Sequence, residues 1–403
     1  MYRYYKTPLL KLSHLLRELQ LDPFSNRQTC LLIQEEVLKR TIRIEKQIRG
    51  HRRRLKELRK HLRSKKEATI DKTGARQIKD TMSWHHGRIK EYQLLLITFR
   101  TIVDALAFIY FDKWDIKPQS FKECPGFISE KVGLKFELRI LRLAFSLGNV
   151  GVLNDLTNCL RYGDVSILAR GRKLIVEAKS GHSGNARIQR QKSELENIAN
   201  YLTYNKSDRL SGIGGEVQRL VIHSPEISHR DQLNSIITHA YQGTGRYYLE
   251  EVEPGLYYGA TYAANPDMFG SLVNKPPNSL IICLVNELKY SGLGYYPFSL
   301  SIYDPNAWYD FCSGKLGIIV AADTRVIEEK LSCEGISLKI TAEWNKFPVE
   351  LTGLGSNAGN KNNKMLVGGH FFGRLFYEFL SMDWLLDEVI YRYHHDNVVE
   401  EAR

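Results

Sequence analysis

The sequence contains few cysteines, and they form none of the patterns that a zinc site or a disulfide framework needs. Six cysteines occur in 403 residues, widely separated, with no CxxC pair and no cysteine–histidine cluster. Structural zinc sites and small disulfide-stapled folds both depend on closely spaced ligands or on many cysteines. This absence excludes both classes and predicts a protein of a reducing compartment.

Long hydrophobic runs are also missing. Arg3, Lys6 and Lys11 interrupt the start of the chain, so no secretory signal is predicted there. The most apolar stretch, residues 92–111, contains Arg100 and Asp104. A charge at the centre of a bilayer costs about 2.5–3.5 kcal/mol. We therefore expect a buried helix in a cytoplasmic protein without a membrane partner.

Several enzyme signatures do not occur. There is no GxxxxGK[ST] motif, so no ATPase motor is predicted, and there is no GxSxG sequence. The histidine pairs at 85–86 and 394–395 fall in helical patterns. Neighbouring residues of a helix point in different directions, so these pairs are expected to be surface residues and not a shared metal site.

Positive charge is concentrated at one end of the chain. The net charge is +12, and residues 1–100 alone hold 25 basic and 10 acidic side chains. The remaining residues therefore carry a slight acidic excess. A basic block of this kind predicts a phosphate-bearing partner, with nucleic acid first and DNA favoured.

The basic block has a helical pattern. Apolar residues recur every three to four positions over residues 31–66, and a second such run covers 79–114, after a polar break at 68–77. Two long helices so joined predict an antiparallel hairpin. Its basic face either follows a phosphate backbone or is the solvated side of a coiled-coil arm for homo-oligomerisation; the two can coexist. The phosphate-contact candidates in this face are Arg52, Arg53, Arg54, Arg59 and Lys60.

A different pattern begins near residue 128. A helix is predicted over 131–147, then strands at 150–156, 163–169 and 172–179, a helix at 185–202 and a strand at 216–223. This order predicts an α/β fold with one mixed sheet flanked by helices. The signal is weaker after residue 228, where strands are predicted at 280–285 and 316–321 and a long aromatic-rich helix at 371–393.

The strand hairpin carries chemistry-bearing residues. Glu177 and Lys179 are two positions apart on one strand and so share a face, and Asp164 begins the partner strand. Two carboxylates and the backbone carbonyl of Ala178 form a hard oxygen site suited to Mg²⁺ or Mn²⁺. Lys179 would orient or deprotonate a water beside such a metal.

This arrangement resembles the PD-(D/E)xK nuclease superfamily over about residues 128–225. The stretch from Gly133 to Glu137, with the later Gly148, is similar to the first helix of that family, and Gly163 stands where the family often has proline. The resemblance implies a restriction-endonuclease-like fold and a metal-dependent nuclease. It also implies that Glu137 is a further metal-site carboxylate. On the following helix it implies that Gln191 positions phosphate or water, and that Arg187 and Arg190 contact phosphate.

Other interpretations remain open. Asp267 with Glu287 and Lys289 repeats the PD…ExK letters, although Pro276 and Pro277 between them disfavour a tight hairpin. Asp164, Glu177 and Lys179 could instead form ordinary salt bridges on a surface hairpin. The whole protein could be a non-catalytic nucleic-acid-binding or assembly protein that uses the helical arm, or a coiled-coil protein that binds a partner protein or a membrane surface.

The expected organisation has three parts. Residues 1–115 form a basic helical hairpin domain, residues 126–226 form the nuclease domain, and residues 228–403 form a C-terminal α/β or α+β domain of unknown role. The expected reaction is Mg²⁺- or Mn²⁺-dependent hydrolysis of phosphodiester bonds, with DNA favoured. By analogy with restriction and anti-phage effectors, a role in prokaryotic defence is also expected.

Overall fold

A computed structural model describes residues 2–64, 72–119, 126–178, 186–207, 210, 217–262, 279–290, 294–340, 349–354 and 364–395. The chain divides into two compact units, residues 1–219 and 220–403, and both contain helices and antiparallel strands. The predicted mixed α/β class is confirmed. The first unit holds the predicted hairpin domain together with most of the predicted nuclease domain.

The first unit begins with helices and continues into a small sheet. Its α-helices are α1 (Lys6–Leu21), α2 (Arg27–Ser64), α3 (Lys72–Tyr110), α4 (Lys113–Ile116), α5 (Leu134–Ser146) and α6 (Ala186–Tyr204). Its strands are β1 (Val150–Leu153), β2 (Val165–Ala169), β3 (Arg172–Val176), β4 (Lys206–Ser207) and β5 (Val217–Gln218).

The helical hairpin is confirmed. Helices α2 and α3 pack along each other, and Nδ1 of His51 lies 2.7 Å from Nδ1 of His85 across the pair. Helix α3 starts at Lys72, within the predicted polar break. By length and composition α3 could also cross a membrane, but 67% of its apolar window is buried inside the protein. That burial agrees with the expected core helix.

The first sheet packs against helix α2 of the hairpin. Gln34 of α2 is buried, donates to the carbonyl of Gly151 (2.9 Å) and accepts from the N–H of Leu153 (2.8 Å). These bonds satisfy backbone groups of β1, which is an edge strand of the order β1–β2–β3. The sheet is therefore fixed to α2 through one amide side chain.

The mixed sheet predicted for this part of the chain is wrong for the described strands, because the first sheet is antiparallel throughout. Leu153 pairs with Val165, and Val165 pairs with Val176, so the end of β1, the start of β2 and the end of β3 meet at one edge. In the described part of the strand predicted at 216–223, β5 covers two residues and pairs with the two-residue β4. Among the described residues, no later strand joins the three-stranded sheet, and the restriction-endonuclease-like arrangement stays a proposal.

The described residues of the second unit form two antiparallel sheets. Its strands are β6 (Tyr247–Glu253), β7 (Leu256–Thr261), β8 (Leu280–Leu284), β9 (Gly317–Asp323), β10 (Ile336–Ile340), β11 (Val349–Gly353) and β12 (Lys364–Val367). Their order is β6–β7–β9–β8 in one sheet and β10–β11–β12 in the other. The strands predicted near 280 and 316 are confirmed, and they pair with each other as β8 and β9.

The predicted single helix over 371–393 is wrong. The helices of the second unit are α7 (Arg230–Gln242), α8 (Val285–Leu288), α9 (Phe298–Ser301), α10 (Pro305–Ser313), α11 (Thr324–Cys333), α12 (Gly369–Phe372), α13 (Arg374–Tyr377) and α14 (Met382–His395). Phe379 has a φ of +54°, which interrupts the helix. The Glu253 carboxylate then accepts the N–H groups of Met382 and Asp383 and starts α14 anew.

Candidate metal centre at the edge of the first sheet

Three acidic residues of the first unit occur at the same edge of its sheet. Asp155 follows β1, Asp164 precedes β2 and Glu177 follows β3. The register that aligns Leu153, Val165 and Val176 sets these positions at a common edge. Antiparallel pairing thus gathers carboxylates from three consecutive strands at one end of the sheet.

A lysine ammonium lies among these carboxylates. Nζ of Lys131 is 2.6 Å from Oδ1 of Asp164, 2.7 Å from Oδ2 of Asp155 and 3.0 Å from Oε1 of Glu137. We call these four residues the Lys131 cluster. One positive charge faces three carboxylates, so the cluster has a net negative charge when all three are ionised.

Glu137 is the most deeply buried carboxylate of the Lys131 cluster. It lies in the first turn of α5, and its side chain is 1% exposed. Its Oε2 atom is buried and, within the described part of the chain, has no hydrogen-bond partner. Burial raises the pKa of this carboxyl, and the hydrogen bond from Lys131 only partly opposes that rise. A buried oxygen without a partner is costly unless a cation or a donor approaches it.

Asp164 is hydrogen-bonded to the end of β3 and the residues after it through both its side chain and its backbone. Its Oδ2 accepts the N–H of Ala178 at 2.7 Å, and its own N–H donates to the carbonyl of Val176 at 2.8 Å. The preceding Gly163 has a φ of +70°. A Cβ at Gly163 would lie 2.5 Å from Cγ2 of Ile175, so this close approach of β2 to β3 needs glycine.

Two buried carboxylates of the hairpin fix the segments that carry the cluster. Glu45 of α2 accepts the N–H groups of Ile128 (3.0 Å) and Ser129 (2.9 Å), just before Lys131. Asp104 of α3 accepts the N–H groups of Asn158 (2.6 Å) and Cys159 (3.1 Å), on the loop that leads to Asp164. The helical hairpin therefore positions the site.

Lys131 reaches the cluster from an irregular segment with solvent on one side. It lies between a 3₁₀ turn (Ile128–Glu130) and α5, and its side chain is 29% exposed. Burial acts to lower the pKa of the ammonium, but the hydrogen bonds to Asp155 and Asp164 outweigh it, and the pKa is raised. Lys131 is therefore charged at neutral pH.

The donor set suits a hard divalent cation. Carboxylate oxygens are the preferred ligands of Mg²⁺, Mn²⁺ and Ca²⁺, and the unpartnered oxygen of Glu137 adds a ligand atom. As they stand, however, no three histidine, cysteine, aspartate or glutamate side chains among the described residues are spaced to hold a metal ion. The carboxylates are spaced around an ammonium.

Some of the residues predicted from the sequence lie in the cluster, and others are not described by the structure. Asp164 and Glu137 meet at the ammonium of Lys131. Glu177 is half-buried and next to Ala178, which bonds to Asp164. Lys179 lies outside the described residues. Arg187, Arg190 and Gln191 fall on α6, where only the backbone is described.

Sequence reasoning missed Lys131 and Asp155. Asp155 lies near the end of the strand predicted at 150–156, and in an antiparallel hairpin that end meets the start of the next strand, where Asp164 was chosen as a candidate. That signal was present and could have been used. For Lys131, which is one of many basic residues, no local signal distinguishes it.

The basic face of the hairpin is exposed as predicted. The residues Arg52, Arg53, Arg54, Arg59 and Lys60 all have exposed side chains on α2. Part of this charge is already engaged: Arg54 pairs with Glu57 at 3.0 Å, and the Arg52 guanidinium lies over the ring of Phe127.

The alternative PD…ExK string fits the described structure poorly. Glu287 lies in the short helix α8, and Nζ of Lys289 donates to the carbonyls of Phe311 and Cys312. On a helix, residues two apart do not share a face. Asp267 lies outside the described residues.

Comparison with known proteins adds no relative. No protein-family model matches the chain, and no curated protein and no solved structure is significantly similar to it.

Proposed function

We propose that this protein is a metal-dependent nuclease whose active site lies at the Lys131 cluster. The observation that carries the proposal is that Asp164 and Glu137, chosen from the sequence as metal-site carboxylates, lie 2.6 and 3.0 Å from one common cation. Lys330, which lies on the surface of the second unit, contacts two exposed carboxylates, whereas Lys131 contacts three, one of them fully buried. Carboxylates gathered in this way supply the oxygen ligands that a metal-dependent phosphodiester hydrolase needs.

Each residue has a role in this proposal. Asp164, Glu137 and Glu177, with the carbonyl of Ala178, would hold Mg²⁺ or Mn²⁺, and Asp155 joins them. The bound ion would polarise the phosphodiester and lower the pKa of a water. Lys179 would orient that water, and Gln191, Arg187 and Arg190 would position the phosphate.

The first experiment is a cleavage assay on plasmid DNA and on RNA with Mg²⁺, Mn²⁺ or EDTA. Metal-assisted charge stabilisation is worth several kcal/mol, and about 1.4 kcal/mol corresponds to tenfold in rate, so we expect Asp164→Asn to slow cleavage by about a thousandfold. Asp80→Asn, which changes an exposed aspartate of α3, is the control and should leave the rate unchanged. Cleavage that persists in EDTA or in Asp164→Asn would contradict the proposal.

A second candidate function is nucleic-acid binding by the hairpin without catalysis. The exposed cationic run on α2 favours it. Each neutralised phosphate changes the slope of log K against log salt by about 0.9, so replacing Arg52, Arg53 and Arg54 by alanine should lower that slope by up to about 3. The control replaces three exposed lysines of the second unit, Lys315, Lys339 and Lys364.

The arm variant also separates the two functions. If the hairpin delivers DNA to the cluster, the triple arginine variant should cleave more weakly but bind metal normally. An unchanged slope of log K against log salt would show that these three arginines do not contact phosphate.

Light scattering on the same variant tests whether the arm also mediates homo-oligomerisation, and lipid co-sedimentation tests the membrane alternative.

A further inference from the structure

Lys131 is the unusual member of the cluster, because it occupies the point toward which the three carboxylates converge. Its nitrogen has oxygen neighbours at 2.6, 2.7 and 3.0 Å. Coordination distances are about 2.0–2.1 Å for Mg²⁺ and about 2.3–2.6 Å for Ca²⁺. An ion at the position of the ammonium would need the carboxylates to move inward, and the larger ion would need the smaller movement.

The lysine is better placed to leave than any of the carboxylates. Glu137 belongs to α5, and Asp164 is held by the backbone of β3 through Ala178. Lys131 belongs to neither a helix nor a strand, has a flexible four-carbon stem and is the most exposed member of the cluster. The Lys131 ammonium is thus the member of the cluster that can leave, while the carboxylates need only the short inward movement that a bound ion requires.

The buried oxygen of Glu137 shows that the ammonium does not complete the site. Lys131 binds Oε1, while Oε2 stays buried without a partner among the described residues. A purely structural ion pair gains most when every lone pair is satisfied. The unsatisfied oxygen of Glu137 and the excess negative charge of the three carboxylates are both features that a bound divalent cation would remove.

We propose that Lys131 is a resident counter-ion that holds the metal site in a closed, metal-free state and is displaced when a divalent cation binds. This inference rests on the proposed metal site and adds its regulation. The lysine keeps the three carboxylates together in the absence of metal, and it sets a threshold of divalent ion concentration below which the site stays closed. Ca²⁺ should open it more readily than Mg²⁺, because the larger ion needs the smaller inward movement of the carboxylates.

The first test compares Lys131→Met with Lys135→Met, which removes an exposed lysine four residues further on. A site that is open about one-tenth of the time binds about tenfold more weakly than an open one, so Lys131→Met should bind Mn²⁺ at least about tenfold more tightly than the wild type. Lys135→Met should match the wild type. Binding is measured by titration calorimetry and by the electron paramagnetic resonance signal of free Mn²⁺.

The melting temperature provides a second readout that needs no activity. In EDTA, Lys131→Met should melt below the wild type, since three carboxylates then repel one another, and Ca²⁺ should restore its melting temperature. A loss that Ca²⁺ does not restore, with Mn²⁺ affinity no higher than that of the wild type, would show that Lys131 is only a structural ion pair and would overturn the inference.

A measurement on the wild-type protein covers the case in which Lys131→Met does not fold. An amine-directed reagent, quantified by mass spectrometry, should modify Lys131 slowly in EDTA and at a rate close to that of Lys135 in saturating Ca²⁺. Protection of Lys131 that is unchanged while Ca²⁺ demonstrably binds would overturn the inference.

The outcomes distinguish this inference from the proposed function. Metal-dependent cleavage by a protein whose Lys131 stays protected would contradict the inference alone. Release of Lys131 on metal binding, without cleavage of DNA or RNA, would contradict the proposed nuclease activity but support the proposed displacement of Lys131. Absence of divalent binding in both the wild type and Lys131→Met would contradict both.

Discussion

Each of the two units contains a cation surrounded by carboxylates, and the two clusters are built differently. In the second unit, Arg374 is 1% exposed and pairs with Glu226 at 2.6 Å and Glu378 at 2.7 Å. In the first unit, a partly exposed lysine faces three carboxylates. A buried guanidinium with fixed geometry suits a permanent cross-link, whereas an ammonium on a flexible stem suits an exchangeable partner.

The half-buried Glu253 and the buried Glu137 show the same contrast. Glu253 accepts hydrogen bonds from Ser381 (2.7 Å) and from backbone N–H groups of α14, and it lies 2.9 Å from Nε2 of His229. Burial raises its pKa, but these bonds outweigh burial and the pKa is lowered. The pKa of Glu137 is raised instead. The first glutamate is stabilised by its surroundings, and the second is held in an incomplete site.

The largest expected effect is on the Arg374 cluster. Removing one partner of a buried ion pair costs about 3–5 kcal/mol, so we expect Arg374→Met to lower the free energy of unfolding by that amount, with no recovery in Ca²⁺. Urea unfolding followed by the fluorescence of the neighbouring Trp384 measures it.

The control for Arg374→Met is Arg142→Met, which removes an exposed arginine whose partner Glu35 is also partly exposed. Exposed pairs contribute about 0–1 kcal/mol, so this variant should remain close to the wild type. If Ca²⁺ restored Arg374→Met as it should restore Lys131→Met, the contrast between the two clusters would be wrong.

The next effect concerns Gly163, which sets the approach of Asp164 to β3. Strain at positive φ costs about 1–3 kcal/mol, and the 2.5 Å contact of a new Cβ with Ile175 adds to it. Gly163→Ala should therefore destabilise the first unit by about 3 kcal/mol and, since shifted supporting residues weaken metal sites about 10–100-fold, should reduce Mn²⁺ affinity in that range.

Gly171→Ala is the matched control for Gly163→Ala. Gly171 also has a positive φ, of +74°, but a Cβ there has no atom within 4 Å. It should show the strain cost without the loss of Mn²⁺ affinity. Equal Mn²⁺ affinity in the two variants would show that Gly163 does not contribute to metal binding.

The smallest expected effect is the pH dependence of Glu253. Because its folded pKa is lowered, the ionised carboxylate stabilises the protein above the unfolded pKa, which is about 4.3, and that contribution is lost as pH falls through the folded pKa. Glu253→Gln should cost about 1–3 kcal/mol at pH 7. Melting temperatures recorded from pH 8 to 3.5 should converge with those of the wild type at the acid end.

Glu137→Gln is the opposite case for the same measurement. Its carboxyl has a raised pKa, so the ionised form is disfavoured by folding, and the substitution should leave the melting temperature in EDTA unchanged or slightly higher. A large loss of stability in Glu137→Gln would show that this carboxylate is structural.

Local patterns allowed much of the first unit to be predicted. Spacing of three to four residues predicted the hairpin and α5, and alternation predicted β2 and β3, because burial of one face fixes both periods. The same logic failed at Phe379, since the cap that restarts α14 comes from Glu253, 129 residues away from Met382. Aromatic periodicity contains no information about such a partner.

The sequence by itself determined which faces of the helices and strands are buried, and it set Asp164 at the start of a strand whose partner strand ends near Glu177. Only the tertiary structure decided which charges meet. Lys131 contacts Asp155 and Asp164 across 24 and 33 residues, and Glu45 and Asp104 fix their segments across 83 and 54 residues. The periodicity of apolar residues that hydrophobic burial requires is visible in a short window of sequence. A cluster of charges depends on where distant segments are brought together, which the packed chain alone specifies.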